Sequence, residues 1–111
     1  MATWKKILLE GDLTSGGADS FTKLLIHSDT TNNSQVFVDS SASGHSISYN
    51  GTSMKHDTAL PYFGATSILF DGSEDYLLIA DSSDWDFTGE FSIDFWVRFI
   101  TINGVNDILG T

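Results

Sequence analysis

Apolar and polar residues alternate most regularly over Phe91-Ser92-Ile93-Asp94-Phe95-Trp96-Val97-Arg98-Phe99. Phe91, Ile93, Phe95, Val97 and Phe99 fall on one face and Ser92, Asp94, Trp96 and Arg98 on the other, the period of two that belongs to a β-strand. Shorter runs of the same character cover Lys23 to His27, Gln35 to Asp39, His45 to Asn50, Thr66 to Phe70 and Tyr76 to Ala80. The segments between them are rich in Gly, Ser, Thr, Asn and Asp, residues whose side chains or backbone freedom favour turns. Short extended runs punctuated in this way predict an all-β sandwich or barrel, and no segment carries a helical period. The loop Asp71-Gly72-Ser73-Glu74-Asp75 is expected to close a hairpin between the runs on either side of it. Ile68, Phe70, Leu78 and Ala80 are the expected core partners of the Phe91 strand. Pro61 falls in a connecting segment, where its fixed φ is harmless.

Residues 1–20 read as an N-terminal arm, and residues 21–111 as the domain. The arm holds a compact apolar patch, Trp4, Ile7, Leu8 and Leu9, followed by an aperiodic Gly/Ser/Asp stretch. Two readings stand side by side: a first strand or tail, or an anchor in which Trp4, Ile7 and Leu8 dock on a partner.

Composition narrows the class of partner. The 111 residues include 15 acids against 5 bases, a formal net charge of -10. Nucleic-acid affinity rests on clustered Lys and Arg, and anionic lipid asks for the same residues, so neither is an expected partner. With no cysteine there is no disulfide, thiolate metal site or cysteine nucleophile. Runs such as Ile7-Leu8-Leu9 and Leu24-Leu25-Ile26 fall far short of the roughly 18 apolar residues of a membrane span. The N-terminal apolar run meets Glu10, Gly11 and Asp12 too soon for a secretory signal.

Four motifs, LLIHSD at Leu24 to Asp29, FVDSSASGHSISYNG at Phe37 to Gly51, FGATSILFDGSEDYLLIADSSDWDF at Phe63 to Phe87 and GEFSIDFWVRF at Gly89 to Phe99, follow one another in an order that resembles the concanavalin A-like lectin/glucanase superfamily, in its laminin-G-like branch. The opening Met-Ala-Thr-Trp-Lys-Lys resembles the start of structural proteins of marine bacteriophages. The resemblance implies an antiparallel jelly-roll β-sandwich. It also implies a non-enzymatic, lectin-like module of a virion tail or fibre, serving assembly or attachment to a host-surface glycan. Its partners would be other virion proteins or copies of itself. The alternatives are a capsid or tail decoration protein without a ligand and, third, a glycoside hydrolase. Superfamily domains run well past the Phe-Trp-Val strand, whereas this sequence stops at Thr111. The expectation is therefore a fragment, a truncated product, or sheets completed by a neighbouring chain.

The residues that carry chemistry divide into three groups. Between Phe70 and Trp96 there are eight acids and no base. They read either as solvated turns or as a calcium site, with Asp71, Asp75, Asp84 and Asp86 as the candidate ligands, because hard cations want several converging oxygens. Asp84 to Gly89 begins like a calcium loop, but the twelfth position is Phe95 instead of Glu, and the linear motif fails. Calcium thus stays a possible but not a required cofactor. For a sugar ligand, Trp85, Trp96 and Tyr62 supply stacking faces and Asp84 and Asp86 supply hydroxyl acceptors, with Trp85 in its acidic turn the best exposed. For hydrolysis, two carboxyl groups must stand about 5 to 9.5 Å apart. Glu90 and Asp94 lie roughly 13 Å apart along a strand, and the expected Glu-x-Asp-x-Glu strand is missing, so no catalytic residue is assigned. Asp39 to His45 contains Ser, Asp and His but no nucleophile elbow, so Asp39 or Ser40 is expected to bond turn amides.

Overall fold

The computed structural model describes the backbone of residues 5–9 together with residues 19–102 and 108–110. Seven strands make up its regular structure: β1 (Lys5–Leu9), β2 (Thr22–Ile26), β3 (Ile47–Asn50), β4 (Lys55–Asp57), β5 (Ser67–Leu69), β6 (Tyr76–Ile79) and β7 (Phe91–Phe95). A single 3-10 turn at Ser83–Trp85 precedes β7, and the described residues contain no α-helix. The fold is all-β.

The strands form three small sheets, in the orders β2-β1-β7, β3-β6 and β4-β5. The two-stranded sheets are antiparallel, but β1 runs parallel to both of its neighbours, with Ile7 opposite Leu24 and Ile93 and with Leu9 opposite Ile26 and Phe95. The antiparallel pattern expected throughout therefore fails in the largest sheet. A signal for this was present in the sequence. Strands of parallel sheets read as unbroken apolar runs, and both Ile7-Leu8-Leu9 and Leu24-Leu25-Ile26 are such runs. In β2, Leu24, Leu25 and Ile26 are all buried, although successive residues point to opposite faces. The backbone of Lys5–Leu9 is thus the central strand of this sheet.

The core gathers on one face of β2. Leu24 and Ile26 pack against Ile47, Ile68, Leu77, Ile79, Trp85 and Ile93. One strand, β6, supplies this face with the parity opposite to the one expected. Tyr76 to Ala80 is apolar throughout, so periodicity could not select a face. Pairing of Ile79 opposite Ile47 and of Leu77 opposite Tyr49 turns Leu77 and Ile79 inward, leaving Leu78 exposed and not in the core. Phe70 and Ala80, also expected inside, are exposed.

The expected hairpin across Asp71–Asp75 does not form, because β5 pairs with β4 and β6 with β3. The loop is held to the end of β3 instead. Asn50 donates its side-chain amide to the Glu74 carbonyl at 2.9 Å, the Asp71 amide donates to Asp75 Oδ2 at 2.7 Å, and Gly51 backs directly onto the Asp75 carboxylate. Gln35 to Asp39 is extended in pattern but not a ladder strand: Phe37 and Asp39 are buried while Val36 and Val38 are exposed.

The outer edge of β2 is closed by a side chain acting as a strand. Asp39 Oδ1 accepts the Leu25 amide at 3.0 Å, and the Leu25 carbonyl accepts the Ser40 amide at 2.7 Å. Asp39 also accepts the Ser41 amide at 2.8 Å, the Ser41 hydroxyl at 3.0 Å and the His45 amide at 2.8 Å. Burial alone would raise the Asp39 carboxyl. The amides of Ser41, Leu25 and His45, with the Ser41 hydroxyl, outweigh it and hold the carboxyl below its ordinary value. The turn-amide role expected of Asp39 is the role it has.

Candidate functional site

Two clusters contain the sequence-predicted site residues. The first is polar. The 3-10 turn Ser83–Trp85 is capped by Ser82, whose hydroxyl accepts the Asp84 amide at 3.2 Å, and this cap projects Asp84 toward β2 and the segment before β3. Asp84 Oδ2 accepts the Ser43 hydroxyl at 2.7 Å and faces His45 Nε2 at 3.1 Å, while Oδ1 lies 3.4 Å from Lys23 Nζ. A carboxylate only accepts, so His45 carries its proton on Nε2 at this contact. The Ser43 hydroxyl bond lowers the Asp84 carboxyl, burial opposes it, and Lys23 and His45 add to the lowering, so the group sits below its ordinary value.

This geometry ties three segments together and does not build a proton relay. In a nucleophilic triad the hydroxyl donates to the imidazole and the imidazole to the acid. Here Ser43 and His45 converge on the same carboxylate oxygen, so the imidazole does not accept the serine proton through Nε2. A glycosidase acid needs a raised carboxyl, and Asp84 is shifted the other way.

Trp85, expected as the best exposed stacking face, is half-buried and packs against the Leu24 and Ile26 core. Its indole donates to the Ala80 carbonyl at 3.0 Å, and the His45 ring covers it at 4.7 Å between centroids. The acidic turn exposes Ser83 and Asp86, not the indole, because the 3-10 turn rotates Trp85 inward. Asp86 is exposed beside it.

Of the proposed calcium ligands, Asp71 and Asp75 serve their own loop. Asp71 Oδ1 accepts the Ser73 amide at 2.8 Å, and Asp75 accepts the Asp71 amide. Asp84 is engaged with Lys23, Ser43 and His45. Among the described residues no three His, Asp or Glu side chains converge into a metal-binding group. His56 is likewise a packing residue. It is buried, stacks on Phe37 at 4.8 Å and points Nδ1 at the Ser34 carbonyl at 3.0 Å.

The second cluster is aromatic and open to solvent. Tyr62 and Trp96 stack nearly parallel, with centroids 4.3 Å apart and 14° between planes. Phe63 meets Tyr62 edge-on at 4.6 Å and Trp96 at 6.1 Å. Tyr62 keeps 65%, Trp96 59% and Phe63 39% of its surface exposed. Trp96 comes just after β7, and Tyr62 and Phe63 come from the loop between β4 and β5. Two of the three ring residues named for sugar stacking are thus brought together, and the third, Trp85, is committed elsewhere. Phe63 was not singled out from the sequence. The adjacent aromatics after Pro61 were the available signal, since neighbouring residues of a turn rarely both reach the core.

A shallow depression of ≈ 400 Å³ is lined by Asn33, Gln35, Thr52, Ser53, Lys55 and Leu69. Its long polar side chains are spent internally, Lys55 on Asn33 Oδ1 at 2.6 Å and Gln35 on the Met54 carbonyl at 2.9 Å. Trp4 lies outside the described residues, and Ile7 and Leu8 are backbone positions of β1. No described helix is long and apolar enough to cross a membrane.

No family model, curated protein or solved structure matches the chain.

Proposed function

We propose that this all-β chain is a non-enzymatic binding module whose aromatic platform, Tyr62, Phe63 and Trp96, stacks against the apolar face of a sugar ring. One observation carries the reading: two large rings are stacked on each other and left more than half exposed. Ring pairs held in place at the surface spend little conformational entropy on binding, and the apolar faces of sugar rings fit them. The polar cluster supports the non-enzymatic part, since its one lowered carboxylate is engaged by three partners. The motif resemblance supplies the finer proposal of a lectin-like β-sandwich on a phage particle, with a host-surface glycan as ligand.

The test is a glycan array probed with the chain and with Trp96→Ala and Tyr62→Ala. Binding by the parent that either substitution abolishes, with the β-sheet circular dichroism unchanged, is the expected result. No binding on any glycan by the folded parent refutes the sugar reading and favours a structural module without a ligand.

A further inference from the structure

The nine-residue alternation Phe91 to Phe99 is a strand only over its first five residues. The reason lies in its partner. β1 pairs residue for residue from Lys5 opposite Phe91 to Leu9 opposite Phe95, and there β1 ends. Beyond that point Trp96, Val97, Phe99 and Ile100 stand 59%, 52%, 44% and 74% exposed. β7 is also an edge of its sheet, in the order β2-β1-β7. Among the described residues the chain thus presents an amphipathic segment with one side of its backbone unpaired along β7 and apolar side chains exposed beyond it, the arrangement that recruits another strand.

The sequence of this segment is complementary to itself. Aligned antiparallel about Phe95, it sets Phe91 opposite the partner's Phe99, Ile93 opposite the partner's Val97, and Phe95 opposite its own copy. The entire apolar face is matched to apolar residues. On the other face, Ser92 meets the partner's Arg98 and Asp94 meets the partner's Trp96. Arg98 then lies on the diagonal from the partner's Asp94, within reach of a long side chain. The two Asp94 carboxylates share the opposite diagonal, and each Arg98 offsets that repulsion. Among the described residues neither Asp94 nor Arg98 has an ion-pair partner within the chain.

We propose that a second copy of this chain is the occupant of the β7 edge, paired antiparallel over Phe91 to Phe99 about a two-fold axis at Phe95. The three-stranded sheet then becomes a continuous six-stranded one, and the second half of the alternation acquires the partner that β1 is too short to provide. A two-fold pairing of this kind is isologous and closes on itself, so it gives dimers and not fibres. The net charge of -10 on each chain opposes association. Added salt screens that repulsion, so association of the parent tightens as salt rises.

The experiment is the solution mass of the 111-residue chain by light scattering across a dilution series, repeated with three variants. The parent is expected at twice its 12.1 kDa mass. Val97→Lys, at a side chain already half exposed, is expected to stay folded by circular dichroism and to be monomeric. Arg98→Glu sets two acids beside each partner's Asp94, and is expected to weaken the dimer by about tenfold through its two symmetric contacts. The exchange Asp94→Arg with Arg98→Glu restores the diagonal pairs and returns the parent's affinity. A parent that is monomeric throughout, or a dimer indifferent to Val97→Lys, overturns the proposal. So does a dimer that Val97→Lys breaks but the double exchange fails to rescue, which excludes the register. None of these variants alters Tyr62, Phe63 or Trp96, so failure here is separable from failure of the sugar-binding reading.

Discussion

Replacing Asp39 tests whether a single carboxylate closes the edge of β2. Its two oxygens accept three backbone amides and one hydroxyl at 2.8 to 3.0 Å, and the residue is 7% exposed. In Asp39→Asn the remaining carbonyl oxygen still serves Leu25 and Ser41. The new amide occupies the Oδ2 position, where the Ser41 hydroxyl can turn to accept from it. The His45 amide then faces a donor and loses its acceptor. A buried donor left unsatisfied costs about 1 to 3 kcal/mol, so Asp39→Asn is expected to lose about 2 kcal/mol. Asp39→Ala removes every acceptor and is expected to cost about 5 kcal/mol, a large part of the total stability of a small domain. Urea unfolding followed by tryptophan fluorescence measures both, with an unchanged denaturant slope showing that the same surface is exposed. The pH dependence gives an independent sign. The folded carboxyl lies below its ordinary value of 3.8, so its contribution is complete above that value and is lost as pH falls through the folded one. The gap between parent and Asp39→Asn should therefore be widest at neutral pH and shrink in acid. A loss under about 0.5 kcal/mol for Asp39→Asn, or a gap that does not narrow in acid, would refute the argument.

Three further outcomes follow from the same geometry. Gly51→Ala would place a Cβ 1.7 Å from the Asp75 carboxylate oxygen at a φ of +107°; it is expected to destabilise by at least about 2 kcal/mol, read as a lowered urea midpoint, and a neutral result would show that the loop does not rest on the end of β3. Asp84→Asn weakens the ties to Lys23 and His45, which are partly exposed, so the expected loss is under about 1 kcal/mol and smaller at high salt. Because Asp84 is also lowered, whatever it contributes is present above its unfolded value and disappears as pH falls through the folded one, a trend that thermal melts in acid would follow. Trp96→Ala at its exposed position should change the unfolding free energy measured in urea by less than about 1 kcal/mol while removing sugar binding, and a large loss of stability would make Trp96 a packing residue instead.

Much of this protein was legible one residue at a time. The turn residues and the alternating runs specified short strands without helices, because side-chain period and φ preference act locally. Asp39 announced its role through the Ser- and Gly-rich turn that follows it. Tyr62 and Trp96 were named as stacking faces, although nothing in the sequence placed them 4.3 Å apart.

Tertiary structure decided whatever depended on a distant partner. Tyr76 to Ala80 is apolar at every position, so only its register against β3 chose Leu77 and Ile79 for the core. Trp85 sits in an acidic turn that reads as exposed, yet one 3-10 turn rotates it onto Leu24 and Ile26. The hairpin at Asp71 to Asp75 was locally plausible and lost to ties with Asn50 and Gly51, which lie two strands earlier in sequence. Above all, Phe91 to Phe99 encodes a nine-residue strand, and the length of β1 allows five of them. Periodicity fixes which face of a segment is apolar, because that is a property of its own backbone. Which strand pairs with it, in which direction and for how long, depends on the main-chain donors and acceptors of another segment.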